Sequence, residues 1–153
     1  MVTIREAYIE ELAAFVSMEQ EADIADFIVP YSLDMHQTKF NEQNTIYLSI
    51  LYKAQLVGFM LLVLDADQIS AEFRRIVVSA RGKGIGQAAL EMMEHYCMTK
   101  LGRHRIWLDV FEFNERGRHI YEKRGYKPFK SETYEGKRLL FYEKPLKLSL
   151  IHI

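Results

Sequence analysis

The chain is 153 residues long, the length of one ordinary domain, with 49% hydrophobic and 27% charged residues. A chain of this size and composition buries a core without disulfides or metal, which excludes a disordered polypeptide. Twenty Lys and Arg stand against 21 Asp and Glu, a formal net charge of −1, so whole-chain charge gives no support for nucleic acid as a partner.

Cys97 is the single cysteine, so no internal disulfide can form and the fold needs no oxidising compartment. The opening residues, Met1-Val2-Thr3-Ile4-Arg5-Glu6, lack the basic-then-apolar layout of a signal peptide. The longest apolar run, Leu56–Leu64, is well short of the roughly 20 residues a membrane helix needs. The expected setting is the cytoplasm, with no membrane partner. His36, His95, His104, His119 and His152 show no metal-ligand spacing, so no metal is expected and surface positions account for them.

In chain order, Val2–Ile4 reads as a short strand. Ile9, Leu12, Phe15, Val16 and Met18 then recur at helical spacing over about three turns. Glu19–Phe40 is mixed, with a second short helix somewhere inside it. Glu19, Glu21, Asp23 and Asp26 read as a solvated helix face, the alternative being a lure for a cationic amine. Thr45–Tyr52 and Leu56–Leu64 predict an antiparallel hairpin, although Lys53-Ala54-Gln55 lacks the Asn-Gly or Asp-Gly turn signature. Ser70–Val78 is a third strand. A helix follows to about Leu101, with Ile85, Ala89, Met92, Met93 and Tyr96 on one stripe and Gly102 as its stop. Cys97, in mid-helix, reads as packing. Arg105–Val110 is a buried-type strand, Asn114 caps a helix ending at Gly125, and Leu139–Lys144 is a last main strand. Leu146, Leu148 and Leu150 alternate in an apolar tail that would close a sheet edge or pair with a second subunit in a homodimer. The order is mixed α/β, with hairpins flanking one strand–helix–strand unit.

The most informative stretch is Val77-Val78-Ser79-Ala80-Arg81-Gly82-Lys83-Gly84-Ile85-Gly86-Gln87. A strand feeds a loop with glycine at three alternate positions, and the loop opens a helix. Glycine permits positive φ and leaves no Cβ between backbone and ligand, so successive N–H groups can converge on an anion at the positive end of the helix dipole. Arg81 and Lys83 add two cations. The pattern predicts a phosphate or pyrophosphate cradle; the alternative is a plain strand–helix turn. A P-loop is excluded because no Lys-Ser/Thr follows these glycines. Gly84-x-Gly86-x-x-Ala89 formally matches a dinucleotide fingerprint, with Asp109 downstream, but the preceding antiparallel meander is the wrong setting.

Arg81-Gly82-Lys83-Gly84-Ile85-Gly86 resembles the Arg/Gln-x-x-Gly-x-Gly/Ala signature of the GNAT superfamily of acetyl-CoA-dependent N-acetyltransferases. Downstream, Trp107-Leu108-Asp109-Val110, Asn114 and Tyr121-Glu122-Lys123-Arg124-Gly125-Tyr126 resemble that family's strand followed by Asn-x-x-Ala-x-x-x-Tyr-x-x-x-Gly-Phe. Gly117 stands where Ala is usual and Tyr126 where Phe is usual. The resemblance covers about residues 45–145 of a single domain spanning 1–153. It implies an α/β (α+β) fold: a mixed, mostly antiparallel central sheet flanked by helices, with its fourth and fifth strands, Ser70–Val78 and Arg105–Val110, splayed.

The same resemblance implies acetyl-CoA as cosubstrate, and a small amine or peptide N-terminus as acceptor. Pantetheine would pair with the backbone of Ile76, Val77 and Val78, and the pyrophosphate would sit on the amides of Arg81, Gly82, Lys83, Gly84, Ile85, Gly86 and Gln87. Asn114 would contact the pantetheine arm or position the helix carrying Tyr121. Tyr121 is implied as the general acid for the leaving thiolate, the alternative being an ordinary packed tyrosine. Glu72 is a candidate base on the strand where a backbone N–H near Val77 or Val78 would stabilise the developing oxyanion, the alternative being a carboxylate paired with Arg74 or Arg75. A non-catalytic acetyl-CoA-binding module would keep the cradle without the chemistry.

Overall fold

The computed structural model describes residues 1–21, 28–79 and 84–147. Seven strands form one mixed sheet in the order β1-β2-β3-β4-β5-β7-β6. They are β1 (Val2–Glu6), β2 (Thr45–Tyr52), β3 (Gln55–Leu64), β4 (Ser70–Val78), β5 (Arg105–Phe111), β6 (Lys127–Tyr134) and β7 (Lys137–Pro145). The helices are α1 (Leu12–Glu19), preceded by a 3-10 turn at Ile9–Glu11, then α2 (Leu33–Phe40), α3 (Ile85–Thr99) and α4 (Glu115–Lys123). The chain falls into two compact units. The first comprises Met1–Leu64 and Phe73–Met92, and the second comprises Asp65–Glu72 and the chain from Met93 onward.

In the first unit, β1 pairs antiparallel with β2, and β2 with β3. The β2–β3 turn forms without glycine or asparagine: Lys53 and Ala54 both take positive φ, 51° and 65°, as a tight hairpin turn requires. The core gathers Leu12 and Phe15 of α1, Tyr47 of β2, Phe59 and Leu61 of β3 and Val77 of β4, with the Phe15 and Phe59 rings stacked 4.3 Å apart.

That core also encloses charge. Glu19, at the end of α1, is fully buried; its carboxylate meets the guanidinium of Arg75, the Tyr31 amide N–H at 3.2 Å and His36 Nε2 at 2.7 Å. A carboxylate only accepts, so Nε2 of His36 carries the proton, and His36 Nδ1 lies 2.7 Å from the Tyr47 hydroxyl. Arg75 also donates to the Val29 carbonyl at 2.8 Å and lies 3.8 Å from the Tyr31 ring centre. Burial alone would raise the Glu19 carboxyl, but the His36 hydrogen bond and the Arg75 charge hold it below the ordinary carboxylate range. The solvated face expected at Glu19 and the surface position expected of His36 are therefore corrected: both side chains are interior, because their partner Arg75 comes from a distant strand. Asp23 and Asp26 lie outside the described residues.

In the second unit, β4 pairs parallel with β5 through Ser70↔Arg105, Ala71↔Ile106 and Glu72↔Trp107, and among the described residues the ladder stops there. β7 pairs antiparallel with β5 and with β6. Strand β6 is exposed along its whole length at the sheet edge, where Pro128 can be accommodated. The stripe of α3 is buried at Ile85, Ala89, Met93 and Cys97, which confirms the packing role expected of Cys97, and Gly102 ends the segment at φ 64°. Leu148 and Leu150 of the tail lie outside the described residues.

Candidate active site

Three stretches of chain carry the candidate site residues, two in the first unit and one in the second. The first is the end of β4. A Cβ at Gly58 of β3 would lie 2.3 Å from the Val77 carbonyl oxygen, so only glycine lets the strands approach, and this carbonyl is turned toward β3. The Ser79 N–H likewise donates to the Val57 carbonyl at 2.8 Å. Backbone polar groups alternate along a strand, so those of Ile76 and Val78 project from the opposite edge of β4. Of the three residues expected to pair with pantetheine, Val77 spends its carbonyl on β3, while Ile76 and Val78 present backbone groups on the other side.

The second stretch is the loop into α3. Arg81, Gly82 and Lys83 lie outside the described residues. Gly84 has φ 68°, a left-handed conformation that glycine adopts without penalty, and its carbonyl accepts the Ala88 N–H at 3.2 Å to open the helix. Gly86 is different. Its φ is not in the left-handed range, and among the described residues a Cβ built on it would meet nothing within 4 Å. Neither backbone conformation nor internal packing requires glycine there; close approach of a ligand would. The N–H groups of Ile85, Gly86 and Gln87 belong to the first helical turn, where no intrahelical carbonyl serves them. These residues fit a phosphate-bearing cosubstrate.

The third stretch is α4. Asn114 Oδ1 accepts the Gly117 N–H at 2.9 Å, the expected N-cap. A Cβ on residue 117 would come within 2.7 Å of Asn114 Nδ2, which gives the unusual glycine a local reason: the cap folds over it. The helix ends in a Schellman arrangement. Gly125, at φ 95°, donates its N–H to the Glu122 carbonyl, and Tyr126 N–H donates to the Tyr121 carbonyl at 3.0 Å. The rings of Tyr121 and Tyr126 meet edge to face, 5.8 Å between centres. Tyr121 is half-buried; burial first, and the nearby Asp109 carboxylate second, push its hydroxyl up to about 12.

Glu72 is buried on β4 in register with Trp107, whose Nε1 donates to Asp65 Oδ2 at 2.6 Å. Of the two cations considered for Glu72, Arg75 is engaged with Glu19. Cys97 is buried, and desolvation pushes its thiol up to about 12.

The model of the acetyltransferase (GNAT) family matches residues 6–126. The chain belongs to that family. Solved structures of other GNAT N-acetyltransferases share its fold. The spermidine N-acetyltransferase of Vibrio cholerae, solved with CoA and spermine, is 20% identical with a TM-score of 0.82, over 95% of each chain. The ribosomal-protein-S18-alanine N-acetyltransferase of Escherichia coli is 20% identical with a TM-score of 0.79, over 97% of this chain and 96% of that one. As a GNAT protein the chain is an acetyltransferase that takes its acetyl group from acetyl-CoA.

The motif reading missed the polar contacts that hold α4. Its C-cap Arg124 donates to Glu94 on α3 at 2.7 Å, and Tyr126 donates its hydroxyl to the same carboxylate at 2.8 Å. Glu122, next to Tyr121, accepts the Tyr142 hydroxyl at 2.5 Å. The one visible signal was Tyr126 itself: a tyrosine in place of the usual phenylalanine brings a hydroxyl that must find a partner once buried.

Proposed function

We propose that residues 1–153 work as one cytoplasmic N-acetyltransferase domain moving an acetyl group from acetyl-CoA directly to a cationic amine bound beside it. The observation that carries the donor assignment is Gly86, a glycine in a helical first turn where no neighbour among the described residues forbids a side chain. Ile76 and Val78 would pair with pantetheine, and the amides through Gln87, with the side chains of Arg81 and Lys83, would hold the pyrophosphate. Asn114 would act by capping the helix that carries Tyr121.

The amine nitrogen must lose a proton, attack the thioester carbonyl carbon and expel sulfur as thiolate. Glu72, directly or through a water, is the proposed base. The Val78 N–H, on the edge of β4 opposite β3, is the proposed oxyanion donor. Tyr121 donates its proton to the departing thiolate and is reset from solvent. A hydroxyl that titrates near 12 is fully protonated at neutral pH and so always able to donate. The high titration point and burial of Cys97 leave it no role as an acyl carrier.

For the acceptor, residues 6–42 hold nine carboxylates and one lysine. Glu11 and Glu19 are neutralised internally, by Arg5 and by Arg75. The remaining acidic excess favours a polycationic amine, the class named for the Vibrio cholerae relative, over a neutral acceptor. The test is CoA release and product mass over a panel of spermidine, spermine, single amino acids, aminoglycosides and an alanine-terminated peptide. Polyamines turned over best support this acceptor. Preference for the peptide moves the acceptor to a protein N-terminus, and acetyl-CoA binding without any turnover removes the catalytic reading.

A further inference from the structure

Helix α4 carries Tyr121 yet has little of its own to hold it in place. It is nine residues long, shorter than isolated helices need to persist in water, and none of its residues is fully buried. Tertiary contacts must therefore fix where Tyr121 sits. Its polar attachments include the Asn114 cap at one end, Glu122 and Arg118 on the Tyr142 hydroxyl, and a cluster around Glu94 at the other end.

Glu94 is a charged residue in the middle of α3, 7% exposed. Its Oε1 accepts from Arg124 at 2.7 Å and from Lys144 Nζ at 3.0 Å; its Oε2 accepts from the Tyr126 hydroxyl at 2.8 Å. Arg124 is the C-cap of α4. Tyr126 closes the Schellman turn on the Tyr121 carbonyl and packs its ring against the Tyr121 ring. Two routes thus run from one carboxylate to Tyr121: through Arg124 and the helix end, and through Tyr126 and the ring contact. Tyr126 itself stays protonated, since burial and then the Glu94 charge both raise it.

The geometry points to Glu94 as a positioning residue that, through Arg124 and Tyr126, holds Tyr121 where it can donate to the leaving thiolate. This rests on the general-acid reading of Tyr121. It goes further in making that acid depend on a carboxylate 27 residues earlier in the chain, outside both motifs. Lys144, from β7, ties the same carboxylate to the sheet and completes the anchor.

The test is a double-mutant cycle between Glu94→Ala and Tyr121→Phe, with spermidine as acceptor and the alanine-terminated peptide run in parallel. Alone, Glu94→Ala lowers kcat about 10- to 100-fold, the scale set by misplacing a reacting group by about 1 Å, while the KM for acetyl-CoA stays within about two-fold. Glu94→Gln, whose amide oxygen can still accept from Arg124 while its NH2 group donates to the Tyr126 hydroxyl oxygen, recovers part of the loss. In the Tyr121→Phe background, Glu94→Ala costs no more than about two-fold further, because nothing is left to position. Equal losses in both backgrounds, or an acetyl-CoA KM that rises in step, overturn the positioning role. Tyr121→Phe turning over as fast as the parent overturns the general-acid reading instead, and the positioning role with it. Amide hydrogen exchange supplies a readout that needs no acceptor: in Glu94→Ala, or in Tyr126→Phe should the first variant not fold, exchange across residues 115–126 quickens while β2 and β3 are unchanged. Unchanged exchange in 115–126 also contradicts the proposal.

Discussion

Arg75 and Glu19, 56 residues apart in sequence, form an ion pair inside the first unit, with His36 and Tyr31 completing the shell around the carboxylate. The pair fastens residues 29–31 to β4 one residue before Ile76, where the proposed pantetheine pairing begins. Removing the guanidinium alone leaves a buried carboxylate without its main counter-charge. Arg75→Met should therefore destabilise by roughly 3–5 kcal/mol in urea unfolding. The double variant Glu19→Leu with Arg75→Met should regain much of this, since neither charge then remains. A loss below about 1 kcal/mol for Arg75→Met would mean that the pair contributes little.

Acid should weaken the protein through two carboxylates of the same unit. Glu11 accepts both guanidinium nitrogens of Arg5 at 2.9 Å, together with the Tyr8 N–H and the Ser49 hydroxyl. The Arg5 contact, against some burial, holds it at about 2 instead of the ordinary 4.5. Glu19 is also depressed. A depressed folded value means that the unfolded chain takes up protons first. The stabilisation is thus complete above pH 4.5 and disappears as pH falls toward about 2. Urea midpoints measured from pH 7 down to pH 3 should fall, and Glu11→Gln should flatten the fall. An equal slope in the variant would remove Glu11 from the account.

Tyr121→Phe should lower kcat at least tenfold, within the range general-acid catalysis supplies, with acetyl-CoA affinity by calorimetry nearly unchanged. Because the hydroxyl titrates near 12, the parent enzyme should show no alkaline loss of kcat attributable to this group below about pH 10. A Tyr121-dependent alkaline limb near pH 8 would contradict that.

Gly86→Ala should separate stability from binding. Nothing among the described residues lies within 4 Å of the added methyl, so the melting temperature should hold or rise, as alanine favours a helix over glycine by up to about 1 kcal/mol. Acetyl-CoA affinity should fall at the same time. Unchanged affinity would mean that no ligand approaches this turn.

Most of the β-strand order is legible in the chain, because Thr45–Tyr52 and Ser70–Val78 are apolar runs with clear ends, and the structure reproduces those bounds. Helix α4 is legible as well, since an Asn cap is a local code. Strand β6 is not: its residues are exposed on both faces, so no alternation marks it, and pairing with β7 alone makes it a strand. Glu19 and His36 mislead for the same reason that Glu94 escapes attention. A polar residue reads as surface in sequence, and only the arrival of Arg75, or of Arg124, Tyr126 and Lys144, makes the interior tolerable.

In the proposed mechanism the acetyl group passes straight from acetyl-CoA to the amine while both are bound. Initial rates with acetyl-CoA and spermidine varied together test this most directly. Double-reciprocal lines that intersect, with no amine-independent burst of CoA, are the predicted result. Parallel lines with a burst of CoA would indicate an acetylated enzyme and contradict the account.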